Sequence, residues 1–341
     1  LLLGAAAALP PHAALTVMCV AGLMAAVLAA VHHAEVIAHR VGEPFGTLVL
    51  ALSVTVIEAA LVVSMMLAGG PEMATLARDS VYAAVMIICT GVVGACVLAG
   101  ALRHREQFFR IEGSGPALAA LVALATLVLI VPGFTKTTPG PSYSKVQLEF
   151  AAFVSLALWL VFVFVQTVRH RDYFLPPGDS QESDHAEPPS ARAAWLSFAL
   201  LFVSLVAVVG LAKKLSPAIE AAVDAAGAPK AVIGVAIAAI VLMPESWAAI
   251  RAALADRLQT SMNLALGSAL AAIGLTIPAV ALVSVWLDLP LALGLDSKDV
   301  VLLALAFLVS TITLGTGRTH LMQGAVHLVI FAAFLLLTLV P

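Results

Sequence analysis

The sequence predicts an all-α, polytopic membrane protein of 10 to 11 transmembrane helices that carries two inverted-topology repeats. Three observations lead there. Hydrophobic residues make up 62 % of the 341 residues, charged residues only 11 %, and the mean hydropathy is +1.08, whereas a soluble domain is about 25 % charged. The charges are bunched between apolar runs of roughly 17 to 25 residues, the length that crosses a ~30 Å hydrocarbon core. Two of those runs hold a carboxylate, Glu58 and Glu245. A soluble helical protein would show amphipathic stripes instead.

Taken in order, Leu1 to Leu9 reads as the tail of a hydrophobic helix, and no positive leader marks it as a signal peptide. Ten spans follow, at 13–31, 46–68, 80–101, 116–132, 147–168, 193–211, 230–250, 260–286, 299–315 and 323–340. Charged residues set their limits. Arg40 follows the first span, Arg78 separates the second from the third, and Arg103 to Arg110 close the third. Lys136 and Lys145 bracket the turn before the fifth span, and Lys213-Lys214 end the sixth. Lys230 opens the seventh span, Arg251 and Arg257 separate it from the eighth, and Lys298 and Arg318 bracket the ninth. The segment 169–192 is different, rich in Pro, Asp, Glu and Ser, with Asp179, Glu182, Asp184, His185 and Glu187 close together. It reads as a hydrophilic acidic linker between an N-terminal half, 1–168, and a C-terminal half, 193–341.

Orientation follows from Lys and Arg. With the remnant counted as the first helix, the loops after even-numbered helices carry Arg40, Arg103, Arg105, Arg110, Arg169, Arg171, Arg192, Arg251, Arg257 and Arg318. The opposite loops carry Arg78, Lys136, Lys145, Lys213, Lys214, Lys230 and Lys298. The larger, all-arginine set is expected in the cytoplasm, which puts the acidic linker inside and Pro341 outside. Glu58 and Glu245 then lie on the third and eighth helices, five apart, so these two helices cross in opposite senses. That is the inverted repeat of many secondary transporters, with a site at the repeat interface. Repeat 1 is expected at 46–101 and repeat 2 at 230–286.

A carboxylate at membrane depth is expensive, and it marks a functional site by default. Near Glu58, Ser53 and Thr55 supply hydroxyl oxygens within about a turn. Pro244, directly before Glu245, has no N–H to bond back, so it frees a carbonyl one turn earlier. Carboxylates and carbonyls are the hard oxygen ligands that Ca²⁺ prefers. Glu58 and Glu245 are therefore the expected cation and proton ligands. On the helix after Glu245, Asn263 and Ser268 are further candidates, with Gly267 expected at a close helix contact. The run from Thr90 to Gly94 keeps the spacing of Asn263 to Gly267, which makes Gly94 the partner packing residue.

Several stretches together resemble a known family. They are His33-Ala-Glu-Val-Ile-Ala-His-Arg-Val-Gly-Glu-Pro-Phe-Gly-Thr47, Val54-Thr-Val-Ile-Glu58, Arg103-His-Arg-Glu-Gln107 and Met243-Pro-Glu-Ser246. Arg251-Ala-Ala, Gln259-Thr-Ser-Met-Asn-Leu-Ala-Leu-Gly-Ser268, Gly274-Leu-Thr-Ile-Pro278 and Gly317-Arg-Thr319 complete the set. The chain resembles the bacterial calcium/proton antiporters of the cation/calcium exchanger superfamily, a type also credited with sodium and potassium exchange. The resemblance implies a multi-pass protein of the bacterial plasma membrane in which Glu58 and Glu245 bind cation and proton in turn. It also implies a part in ion selectivity for the acidic linker. One departure is visible: Val56-Ile57 stand where the superfamily has a small residue and proline before the first glutamate.

Other readings make different demands. A cation channel would use acidic rings in an oligomer. A membrane zinc enzyme could draw on His32, Glu35 and His39, spaced i, i+3, i+7 on one helix face, although the metalloprotease pattern His-Glu-x-x-His is absent. His33, His39 and His327 are candidates for pH sensing, and His327 also reads as a hydrogen-bonded packing residue. Cys19, Cys89 and Cys96 form no Cys-x-x-Cys pair and read as small buried apolar groups. Net charge −3 and the lack of a basic stripe give no nucleic-acid partner. The expected partners are membrane lipid and the transported Ca²⁺, Na⁺ or K⁺ and H⁺, with no cofactor.

Overall fold

Ten helices long and apolar enough to cross a bilayer are present among the described residues, which are 13–42, 45–174 and 189–341 of this computed structural model. We label them α1 (Ala13–Val41), α2 (Phe45–Gly69), α3 (Leu76–His104), α4 (Ile111–Phe134) and α5 (Lys145–Arg169). The second five are α6 (Ala191–Ala225), α7 (Ala231–Leu254), α8 (Leu258–Leu287), α9 (Ser297–Leu314) and α10 (Leu321–Leu339). Helices suit this composition because each satisfies its backbone polar groups internally, as a hydrocarbon solvent demands. Leu1 to Leu9 and the acidic stretch from Asp179 to Glu187 lie outside the described residues.

Two helices outrun their expected ends. α1 continues past 31 to Val41, so His32, His33, Glu35 and His39 lie within it, and it stops only at Gly42, whose φ of 77° is the left-handed cap. α6 passes Lys213, Lys214 and Pro217 and runs to Ala225, where Gly227 at φ 61° ends it. In both cases hydropathy falls before helical structure does. Long Lys side chains can carry their charge to the interface while their stems stay on the helix. Side-chain caps set other starts: Ser144 and Gln147 form a capping box before α5, and Ser190 Oγ accepts from Ala193 N at 3.2 Å before α6.

The ten helices repeat their packing in two inverted fives. α1 lies against α6, each the first helix of its five. α3 and α8 are both interrupted by a π-helical segment, Ile87–Val92 in one and Ala272–Thr276 in the other. α2 packs against the π segment of α8, and α7 packs against that of α3. The fifth helix of each set also seats on a π segment of the other five's partner position: α5 against that of α8 and α10 against that of α3. Glycine permits both contacts. A Cβ on Gly91 would come within 3.2 Å of the Phe331 ring of α10, and one on Gly274 within 2.5 Å of Trp159 Cβ of α5.

The structural equivalence differs from the one expected from spacing. Gly91 and Gly274 occupy matching places, whereas Asn263 lies near the start of α8, about three turns before Gly274. Small residues recur along both helices, so spacing alone aligns them in the wrong register.

Among the described residues two large apolar cores result, beside a small third cluster of Leu15, Cys19, Leu211 and Leu215 between α1 and α6. One joins α1, α2, α6 and α7, and the other centres on α3, α4 and α8, with α7 contributing to both. α3 is the most enclosed helix, with 78 % of its apolar window buried against 28 % for α1, α5, α6 and α10. Those four present Val17, Phe150, Phe153, Trp195, Phe198 and Val329 outward, as lipid-facing helices should. On the arginine-rich face a short antiparallel ladder, β1 (Glu106–Phe108) with β2 (Arg318–His320), pairs Gln107 with Thr319.

Candidate cation site

The site is built on α2 and α7, where the two cores meet. On α2, Leu52 and Val56 face outward at about half exposure, while Thr55 and Glu58 share the buried face one turn apart. This is helical periodicity acting on an almost uniformly apolar segment: residues three apart lie on one side. Glu58 is 3 % exposed, and its Oε1 has no hydrogen-bond partner among the described residues. On α7, Ala238, Leu242, Glu245 and Ala249 line the inward face, and Met243 and Trp247 point out. Glu245 Oε2 is likewise buried without a hydrogen-bond partner there.

The helix of Glu58 packs on the helix of Glu245, and the Glu245 charge is among those that act on Glu58. The two carboxylates come from opposite repeats, so the antiparallel crossing of α2 and α7 brings together groups 187 residues apart in sequence. Thr276, the last residue of the π segment of α8, also interacts with the Glu58 side chain. Its Oγ1 is buried and, like Glu58 Oε1, completes no hydrogen bond of good geometry among the described residues. A buried polar oxygen left unpaired is costly, on the order of 1–3 kcal/mol. Glu58 Oε1, Glu245 Oε2 and Thr276 Oγ1 each retain the capacity to bond a proton or a cation.

The neighbouring candidates divide. Thr55 is buried beside Glu58 and Ser53 is half-buried a turn earlier. Pro244 sits inside the continuous helix α7, and Ser246 Oγ donates back to Leu242 O at 2.6 Å. Asn263 is engaged elsewhere: its Nδ2 donates to Phe174 O at 2.6 Å, and its Oδ1 accepts from Gln259 Nε2 at 2.9 Å. It ties the start of α8 to the short turn Arg171–Phe174 that follows α5. Ser268 is half-buried further along α8.

Two expectations are corrected. Gly267 was expected at a close helix contact, yet nothing lies within 4 Å of where its Cβ would be, because α8 turns that position toward open space. Gly94, in contrast, is pressed on α10, with His327 Cβ 2.9 Å and Leu328 N 3.1 Å from an added Cβ. The zinc reading also falls: among the described residues no three His, Cys, Asp or Glu side chains converge to hold a metal ion.

The histidines do separate work. His33 Nδ1 lies 3.4 Å from Ser197 Oγ of α6, and His39 is exposed. His327 is fully buried on α10. Its Nδ1 bonds Cys89 O at 2.7 Å and its Nε2 pairs with Thr313 Oγ1 at 3.0 Å. Cys89 lies in the π segment of α3, where the lengthened turn disturbs the regular carbonyl pattern, and Thr90 Oγ1 takes the Met86 carbonyl there. His327 thus joins α3, α9 and α10 as a packing residue.

Thr276 is the site residue that sequence reasoning passed over. Its one signal is a hydroxyl in an apolar run two residues before Pro278. The π segment that turns it toward α2 leaves no mark of its own in the composition.

Comparison with known proteins agrees with this architecture. Residues 11–168 and 196–340 match the family described as sodium/calcium exchanger protein. The y4hA protein of Sinorhizobium fredii is 49 % identical over 336 residues, 98 % of this chain and 91 % of that one. The sodium-potassium/proton antiporter ChaA of Escherichia coli is 34 % identical over 336 residues, with the same shares of 98 % and 91 %. Among solved structures, the Ca²⁺/H⁺ antiporter YfkE superposes with a TM-score of 0.74 at 17 % identity, covering 97 % of this chain and 93 % of that one. The chain belongs to the sodium/calcium exchanger family.

Proposed function

We propose that the protein is a secondary antiporter of a bacterial plasma membrane that exchanges Ca²⁺, or Na⁺ and K⁺, for protons at one site shared by Glu58 and Glu245. The observation that carries this reading is the pairing itself: one buried carboxylate from each inverted repeat, each with an unpaired oxygen, close enough for their charges to interact. An unpaired anion in a low-dielectric interior is unfavourable, so each carboxylate is neutralised either by a proton or by a cation. Proton and cation compete for the same oxygens, and that exclusion is the coupling.

Relatives support the cargo. A sodium-potassium/proton antiporter and a calcium/proton antiporter share this architecture, and a two-carboxylate site offers the negative charge that balances one Ca²⁺ or two alkali cations. Thr55 and Thr276 add hydroxyl oxygens beside Glu58, the ligand type that hard cations favour. Alternating access follows from relative movement of the two cores, which α7 joins and at whose boundary α2 packs on α8. The acidic linker takes part in cation selectivity.

The test is proton flux in sealed proteoliposomes on separate addition of Ca²⁺, Na⁺ or K⁺. The proposal expects an imposed pH difference to drive at least one of these cations against its own gradient. Cation movement that only runs downhill, without proton movement, would make the protein a channel.

A further inference from the structure

Gln107, in β1 on the arginine-rich face, is 1 % exposed and lies outside the carboxylate site. Its Nε2 donates to Ala253 O, in the last turn of α7, at 2.8 Å. The same nitrogen donates to Asp256 Oδ1, in the turn to α8, at 2.9 Å. Asp256 holds a left-handed φ of 60°, so this turn has a fixed, uncommon backbone. Gln107 is itself oriented from two sides. Its backbone pairs with Thr319 across the ladder, and its side chain lies over Gly100, where a Cβ would come within 1.6 Å of Oε1. His104 Nε2 adds a second tie to the same turn, at 3.0 Å from Leu254 O.

The opposite face carries the matching tie. There the segment leaving α8 reaches the turn between α2 and α3: Ala292 N donates to Ala74 O at 3.0 Å, and Arg78 Nη1, from the first turn of α3, donates to Gly294 O at 3.0 Å. The segment that leaves the third helix of each five thus bonds where the other five's glutamate helix gives way to the next helix, at Ala74 in one case and at Ala253 and Asp256 in the other. The tie at Ala74 is main chain to main chain. The tie at Ala253 rests on one amide, which substitution can remove.

We infer that Gln107 is a positioning residue for cation exchange: it holds the end of α7, and through it sets where Glu245 stands relative to Glu58. The inference rests on Glu245 being a site carboxylate. Ala253 is eight residues beyond Glu245, about two helical turns, and a helix transmits displacement of its end along its axis. Loss of the donor should therefore loosen the site while leaving its ligands chemically intact.

Two substitutions test this. Gln107→Glu keeps the size but replaces the donor with an acceptor facing two acceptors, and Gln107→Met keeps the volume without any hydrogen bond. Either one, in protein that inserts and melts like the parent, should raise the half-saturating cation concentration about ten-fold, the worth of a charge-assisted hydrogen bond. Maximal exchange rate should change less, by about two-fold, the pattern of lost ground-state positioning. A cycle with Glu245→Asp supplies the readout that a merely structural role would not move. The effect of Gln107→Met should shrink to about two-fold in that background, because both changes act on one group. Parental half-saturation in both Gln107 variants, or full additivity with Glu245→Asp, overturns the inference while leaving the carboxylate site standing. Undiminished exchange in Glu245→Gln overturns the site reading and this inference with it.

Discussion

Thr276, on α8, lies beside the Glu58 carboxylate of α2, so a hydroxyl from one repeat serves the acid of the other. The contact exists because the π segment Ala272–Thr276 packs directly on α2. The proposed ligands thus come from both inverted halves, and each half alone would supply an incomplete set.

This contact gives the first prediction. Thr276→Val keeps the shape but removes an oxygen, and it should raise the half-saturating cation concentration about five- to ten-fold, the worth of one hydrogen bond or ligand to a charge. Thr276→Ser should stay near the parent. Cation-stimulated proton flux in proteoliposomes measures both, and equal behaviour of the two variants would remove Thr276 from the site.

The glycines give the second prediction. Gly94 is pressed on α10 and Gly267 faces open space. Gly94→Ala should destabilise by about 1–3 kcal/mol through overpacking. Gly267→Ala should be neutral or stabilising by up to ~1 kcal/mol, the helix-propensity gain of alanine. Thermal unfolding of the purified variants in one detergent ranks them, and a lower melting temperature for Gly267→Ala than for Gly94→Ala would contradict the packing described.

Much of this was legible in the sequence. The ten spans, the opposed Glu58 and Glu245 helices and the inverted repeat follow from apolar run length and from counting crossings, because bilayer thickness and backbone hydrogen bonding leave few alternatives. What stayed hidden depends on helix rotation and on irregular backbone. Gly267 and Gly94 look alike in sequence, and only the facing of each helix separates them. Asn263 looked like a ligand because an amide in an apolar run is conspicuous, yet the carbonyl of Phe174 and the amide of Gln259 occupy it. Thr276 needed the π segment, which no residue pattern announces.

The third prediction concerns charge balance. If Glu58 and Glu245 are the only groups that titrate in the cycle, one Ca²⁺ replaces two protons and no net charge moves. Membrane potential, worth about 2.3 kcal/mol per charge per 100 mV, then contributes nothing. One pH unit supplies about 1.4 kcal/mol per proton, so two protons sustain a Ca²⁺ gradient of about 100-fold. Clamping the vesicle potential with potassium and valinomycin should leave Ca²⁺ exchange unchanged. A steep dependence on potential would mean that a further group titrates, and His327 would be the first to substitute.

The central claim is that Glu58 and Glu245 are jointly the site where cation and proton compete, and the most direct measurement is proton flux in proteoliposomes holding Glu58→Gln or Glu245→Gln. Glutamine keeps most of the volume and polarity but can neither titrate nor offer a full negative charge. Each variant, correctly inserted and as stable as the parent, should lose cation-driven proton movement for Ca²⁺, Na⁺ and K⁺ alike. Parental exchange rates in either variant would contradict the account.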